Sequence, residues 1–220
     1  EVPAALIVFD KVVSSDPTLK KFWLLHSIEE PTIEGNRFIV RRTKNGDTGM
    51  LQNHVLLPET GNAQIEKVGG KGKEFWVFGT NYPNDALPNR PDDANERGAW
   101  RVEVSPAAPA TEDCFLNVMQ VADNTCKRMH DVKRIDAEKV VGVQIADRVV
   151  TFSRDSQPLS GKVDMKVDGN AAMKFVITDL IPGTWQIKKD GKVYIPAMEV
   201  RSDDGILSFE GTAGHYEFLR

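Results

Sequence analysis

Short runs of β-branched and aromatic residues, separated by turn chemistry, recur along the whole chain, and this recurrence limits the possible folds more than any other property. Strand-like segments run over Ala4 to Val13, Phe22 to Ile28, Arg37 to Arg41, Gly49 to Leu57, Glu74 to Gly79, Ala99 to Val104 and Cys114 to Val121. They continue over Arg148 to Ser153, Met173 to Thr178, Thr184 to Lys188, Lys192 to Ile195, Ile206 to Glu210 and His215 to Leu219. Trp185 and Ile187 alternate with Gln186 and Lys188, the pattern of a sheet with one dry and one wet face. Asn45-Gly46, Asp168-Gly169, Asp190-Gly191 and Asp204-Gly205 have hairpin chemistry, because Asn, Asp and Gly tolerate the positive φ of a type I′ turn. Neighbouring strands are therefore expected to pair antiparallel. Only Asp131 to Val141 is compatible with a helix, and Gly142 stops it early. The expected class is all-β, an antiparallel multi-strand β-sandwich of stacked sheets with hairpin connections.

Composition sets the outer bounds. With 220 residues, 40% of them hydrophobic, the chain has an ordinary globular make-up. About 70% of the unfolded surface could be buried, so a core needs no disulfide staples. Twenty-eight basic against 32 acidic residues give a net charge of −4, and the basic pairs are scattered, which argues against a nucleic-acid partner. The longest purely apolar run, Ala4 to Phe9, is far short of the ~20 residues that cross a bilayer as a helix, so no membrane span is expected. The sequence opens on Glu1-Val2-Pro3 and runs straight into a strand-like segment, which reads as a fragment or a processed product. Cys114 and Cys126 are too few for a disulfide framework or a zinc site, and fit two free thiols or one bridge. The polar stretch from Asp123 to Asp136 suggests a division into a first β portion, 1–125, and a second, 126–220, with one continuous sandwich as the alternative.

Three stretches together resemble the heparinase II/III type of bacterial polysaccharide lyase. The first is Pro3 to Val12 (PAALIVFDKV) with Lys20 to His26 (KKFWLLH) and Glu34-Gly35-Asn36. The second is Leu56 to Pro58 (LLP), Ala63 to Gly70 (AQIEKVGG) and Gly72 to Trp76 (GKEFW). The third is Gly98 to Pro106 (GAWRVEVSP) with Phe115 to Val121 (FLNVMQV). Gly142-Val143, Asp147 to Val150 (DRVV), Thr178 to Trp185 (TDLIPGTW) and Gly211 to Tyr216 (GTAGHY) look like the end of the same region. The resemblance implies the β-rich C-terminal part of an enzyme whose N-terminal part is a helical toroid. It further implies a secreted or periplasmic setting, an acidic uronate-containing polysaccharide as substrate of the full-length enzyme, and β-elimination as its reaction. No stretch here matches the family's catalytic motifs or its zinc ligands, so the resemblance carries over no catalytic residue, no metal and no cofactor.

β-Elimination needs a group that neutralises the uronate carboxylate, a base for the C5 proton and an acid for the leaving oxygen. Tyr82 is the sharpest candidate, because it lies in the long segment from Thr80 to Gly98, stiffened by Pro83, Pro88 and Pro91. Asn81, Tyr82, Arg90 and Arg97 could stack on a sugar and donate to its carboxylates; alternatively Tyr82 packs the loop onto the sheet. His54, beside Gln52 and Asn53, is the other catalytic candidate. His26 reads as a polar strand position opposite Leu25, and no pair among the four histidines has metal spacing. The four tryptophans, Trp23, Trp76, Trp100 and Trp185, read as core. The Gly69 to Lys73 stretch leads into a strand rather than a helix, so it is no phosphate loop but a mobile turn with Lys71 and Lys73 solvated. The leading expectation is a lyase C-terminal region, itself non-catalytic and structural or glycan-contacting. The alternative is a free-standing carbohydrate-binding or adhesion module.

Overall fold

The computed structural model describes residues 4–82, 98–155 and 157–220, and among them there is no helix. The chain divides into two compact units, Glu1–Met129 and His130–Arg220, each built from open sheets that are largely antiparallel.

In the N-terminal unit a five-stranded sheet has the order β1 (Ala4–Val13), β10 (Glu112–Ala122), β5 (Asp47–Leu57), β4 (Arg37–Lys44), β3 (Thr32–Glu34). A three-stranded sheet has the order β2 (Trp23–Ser27), β9 (Trp100–Pro106), β6 (Ala63–Gly69). The two face each other across Phe38, Val55, Val102, Val104 and Phe115, all buried. Alternation puts these residues on one face of their strands, and burying each contributes about 1.5–3 kcal/mol. A short hairpin, β7 (Trp76–Val77) and β8 (Thr80–Asn81), follows the three-stranded sheet in the chain. Among the described residues β1 pairs only with β10, so it forms an edge, with Leu6 58% and Val13 66% exposed. Lys21 and Asp113 form a buried ion pair at 2.8 Å, and Lys21 Nζ also donates to the Ala110 carbonyl. The pair fastens the segment before β2 to the start of β10.

The C-terminal unit is a sandwich. One sheet has the order β11 (Val132–Asp136), β12 (Val140–Ile145), β13 (Arg148–Ser153), β15 (Met173–Ile177), β18 (Leu207–Gly211). The other has the order β14 (Lys162–Val167), β19 (Gly214–Leu219), β16 (Gly183–Lys189), β17 (Lys192–Val200). Trp185, Phe175, Tyr216 and Phe218 are wholly buried between them. Phe175 lies 4.8 Å, centroid to centroid, from both Phe209 and Tyr216. The polar ends of the two amphipathic aromatics are satisfied: Trp185 Nε1 donates to the Ile181 carbonyl at 3.0 Å and Tyr216 Oη to the Thr212 carbonyl at 2.6 Å.

Several local expectations change. The segment from Asp131 to Val141 is strand β11 and the start of β12, because Val132, Arg134 and Asp136 pair with Ile145, Val143 and Val141 in a ladder that outweighs local helix preference. Gly142, read as a helix stop, sits inside β12, where a Cβ would collide with the Val150 carbonyl. Of the four hairpin dipeptides, Asn45-Gly46 and Asp190-Gly191 do close hairpins, with φ of 54° and 90°, and 51° and 77°. Asp168-Gly169 and Asp204-Gly205 instead carry the chain from one sheet of the sandwich to the other. At the latter, Asp204 Oδ1 accepts from Ile206 N at 3.1 Å, an Asx-type turn that suits the same residues. Strands β13 and β15 pair in parallel, because the chain crosses to the second sheet through β14 before returning.

The Tyr216 environment yields two expected outcomes. A Cβ at Gly211 would collide with Tyr216 Oη, so Gly211→Ala lowers stability by about 1–3 kcal/mol in urea denaturation. Adding Tyr216→Phe recovers part of that loss, while Gly49→Ala, with nothing within 4 Å of its new Cβ, has little effect. Burial, and then the neighbouring Tyr194, push the Tyr216 phenol from 10.0 up to about 12. The neutral phenol is the form the fold favours, so its contribution is fully present below pH 10 and is lost as pH rises through about 12. Alkaline titration should therefore show Tyr216 phenolate absorbance growing together with loss of near-ultraviolet circular dichroism.

Candidate functional site

Cross-strand register on the three-stranded sheet of the N-terminal unit creates the most site-like surface among the described residues. His26 on β2 stands opposite Arg101 on β9, and Arg101 opposite Val68 on β6, so the three share the face turned away from the Phe38 core. Leu25 packs inward and His26 is exposed, as alternation requires. Over this row lies a cleft of ≈ 510 Å³, walled by Trp100, Phe75, Tyr82 and Val68, with Glu74, Arg101 and His26 as its polar groups.

The cleft owes its shape to two glycines. A Cβ on Gly70 would fall 2.8 Å from Trp100 Cζ2, and one on Gly69 would collide with the Ala99 carbonyl and the indole. Trp100 therefore lies against bare backbone, with Gly70 N bonded to Ala99 O at 3.1 Å. The turn is ordered by further bonds: Lys73 N donates to Gly70 O at 2.8 Å and Gly72 N to Glu74 Oε2 at 2.9 Å. Its own amide first, then Asn81 and the amides of Gly72 and Lys73, hold the Glu74 carboxyl below the usual carboxylate range. Lys71 and Lys73 are exposed, and Lys73 Nζ stands 5.5 Å over the Trp76 ring.

Arg101 ties the cleft floor to the hairpin. It donates to the Trp76 carbonyl at 2.6 Å and forms an ion pair with Glu103 at 2.7 Å. Asn81 closes the hairpin from the other side, accepting from Phe75 N at 2.8 Å and donating to Glu74 at 3.3 Å. The tip, Phe78-Gly79, is a two-residue turn with φ of 46° and 85°, and Phe78 is fully exposed. A bulky side chain in that region is uncommon.

The sequence candidates disperse. Tyr82 lines the cleft and is 56% exposed, Asn81 does not line it but bonds to Phe75 and Glu74, which do, and Arg90 and Arg97 fall outside the described residues. Asn81 spends both ends of its amide on the hairpin. His54 is half-buried on the five-stranded sheet, in register with Val118 and Arg37. The pleat separates it from Asn53, which points into the core and donates to Asn117 at 2.8 Å, so Gln52, Asn53 and His54 do not form one cluster. Of the tryptophans only Trp185 is fully in a core; Trp23, Trp76 and Trp100 are half-buried. Neither cysteine is in a disulfide, and no group of three or more His, Cys, Asp or Glu among the described residues could hold a metal. Trp100, Glu74 and His26 went unread as cleft residues because they come from three separate segments.

Residues 134–220 match the family described as the heparinase II C-terminal domain. The C-terminal unit is similar to that family over nearly its whole length. The match begins inside β11 and runs through both sheets of the sandwich, so the matched residues include Trp185, Gly211 and Tyr216. It covers the four later stretches, from Gly142 to Tyr216, while the three stretches between Pro3 and Val121 lie outside it. The candidate cleft lies in the other unit, outside the matched residues. No curated protein matches the chain.

Replacing Asn81 by Ala removes the acceptor of the Phe75 amide and one donor to Glu74. The expected cost is about 1 kcal/mol of local stability, read as faster hydrogen exchange at Phe75 with the protection of β9 unchanged.

Proposed function

We propose that this chain is the β-rich C-terminal region of a heparinase II-like polysaccharide lyase, non-catalytic by itself, which contacts the glycan through the N-terminal unit. The observation that carries the reading is the heparinase II C-terminal domain over residues 134–220. The partner of this region is then an N-terminal helical domain of the same enzyme, and the substrate of the whole is an acidic, uronate-containing polysaccharide cleaved by β-elimination outside the cell or in the periplasm.

The composition of the cleft supports a contact role over a catalytic one. Its titratable groups have structural duties: Arg101 is paired with Glu103 and the Trp76 carbonyl, and Glu74 is kept ionised by amides that hold the turn. A general base needs a free proton-accepting position beside the reacting carbon, and among the described residues no second acid or base is hydrogen-bonded to His26. Aromatic walls with few polar groups are what a ligand-holding cleft requires.

The test is absorbance at the unsaturated-uronate band while the chain is incubated with a panel of acidic polysaccharides, with a binding titration on the same panel. Flat absorbance with saturable binding is the expected outcome. Growth of the band would overturn the non-catalytic reading and make His54 and Tyr82 the first residues to replace. Absence of binding to every member of the panel would overturn glycan contact.

A further inference from the structure

A pocket of ≈ 260 Å³ opens beside the buried ion pair of Lys21 and Asp113, and it shares no residue with the cleft under Tyr82. Its lining comes from two segments, Pro17 to Lys21 and Pro106 to Ala110, with Gln64 and Asp113. Both segments are tied down. Asp16 Oδ1 accepts from the Thr18 amide at 2.7 Å and from its hydroxyl at 2.6 Å, Ser14 N donates to Thr111 O at 2.8 Å, and Ala107 N to Asn62 O at 2.7 Å. The pocket is therefore formed in advance of any guest.

Lys21 is the unusual member. It is 8% exposed, and taking an ammonium and a carboxylate out of water costs several kcal/mol, whereas an apolar pair of similar volume would join the two segments without that cost. The ammonium sits between two residues of the lining, donating to Asp113 Oδ2 at 2.8 Å and to the Ala110 carbonyl, and its third N–H has no acceptor among the described residues. Lys20 is a second cation. Among the described residues no carboxylate pairs with it, and its Nζ stands 4.9 Å over the Phe22 ring. Against these two the lining has one acid, Asp113. Of the neighbouring acids, Asp16 is turned onto Thr18, and Glu112 lies on the opposite face of β10 from Asp113. The rest of the lining is three prolines, Leu19 and three alanines, with only Thr18 and Gln64 as uncharged polar side chains. A guest rich in hydroxyls would leave most of them without a partner here.

We infer that this pocket is a binding site for a small organic monocarboxylate with a compact apolar body. The carboxylate accepts the third N–H of Lys21 and lies in the field of Lys20, so its single charge balances the excess cation of the lining. The apolar body rests on Leu19 and the prolines.

The experiment is a two-dimensional amide NMR titration of the intact chain with benzoate, benzamide, glucuronate and inorganic phosphate. Benzoate should shift the amides of residues 18–21, 64, 107, 108, 110 and 113 saturably, with a Kd of about 1 mM. Benzamide, which lacks the charge, and glucuronate, which lacks the apolar body, should each bind about tenfold or more weakly. Lys20→Gln, at an exposed position, should weaken benzoate about threefold and flatten its loss with salt. Lys21→Met combined with Asp113→Leu exchanges the buried pair for apolar side chains and should abolish benzoate binding with the spectrum still dispersed. If that double variant does not fold, Ala108→Trp, which fills the pocket from an exposed position, should abolish it instead. Benzoate shifts that are scattered over the chain or do not saturate overturn the inference. Benzamide bound as tightly as benzoate, or benzoate affinity unchanged by filling the pocket, also overturns it. Phosphate or glucuronate bound more tightly than benzoate overturns the assignment of an apolar guest.

Discussion

The surface of the N-terminal unit is organised by an indole lying on backbone. Trp100 can rest against Gly69 and Gly70 only because neither has a side chain, and the contact decides where β6 ends and where the next segment turns away. From that seat the rest follows in steps. Arg101, one residue on, reaches the Trp76 carbonyl and so holds the β7–β8 hairpin; Asn81 locks the hairpin to Phe75 and Glu74; and Tyr82 emerges at the rim. The Gly69 to Lys73 stretch, which in sequence resembles a flexible spacer, is a socket fitted to one large ring.

The C-terminal unit uses the same device at its centre. Gly211 leaves the space that the Tyr216 hydroxyl fills, and the hydroxyl reaches the Thr212 carbonyl. Both units thus pair an aromatic residue with a glycine, but to different ends. In the sandwich the pair closes a core and satisfies a buried polar atom, whereas at Trp100 it leaves the ring half-buried beside an open cleft. The family match falls on the first of these arrangements and the candidate site on the second.

Strand alternation was legible where one face is dry, as in β13, and β1 was legible from its apolar run instead; both keep the bounds their residues suggest. The ladder β11–β12 was not, because a Val-Lys-Arg-Ile-Asp run has no local property that separates a half-buried strand from a short helix until its partner strand is known. Asp168-Gly169 and Asp204-Gly205 show the same limit. Their tolerance of tight turns is local, but whether the flanking strands pair depends on which sheet each one joins. At the site, Tyr82 stood out from its proline-rich surroundings, while His26, Glu74 and Trp100 are brought together only by the register of β2, β9 and β6 and by the turn after β6.

The edge strand β1 has a further consequence. Its ten residues are extended and almost wholly apolar, and along one side their amides and carbonyls have no strand partner among the described residues. Such a strand is a template onto which any other extended chain can add. Asp10 and Lys11, adjacent and opposite in sign, are its only charges, and they point to opposite faces. Those two side chains act as gatekeepers: each face of the strand has one charge to disfavour cross-β stacking, and neutralising either one would turn a structural edge into a nucleus for aggregation.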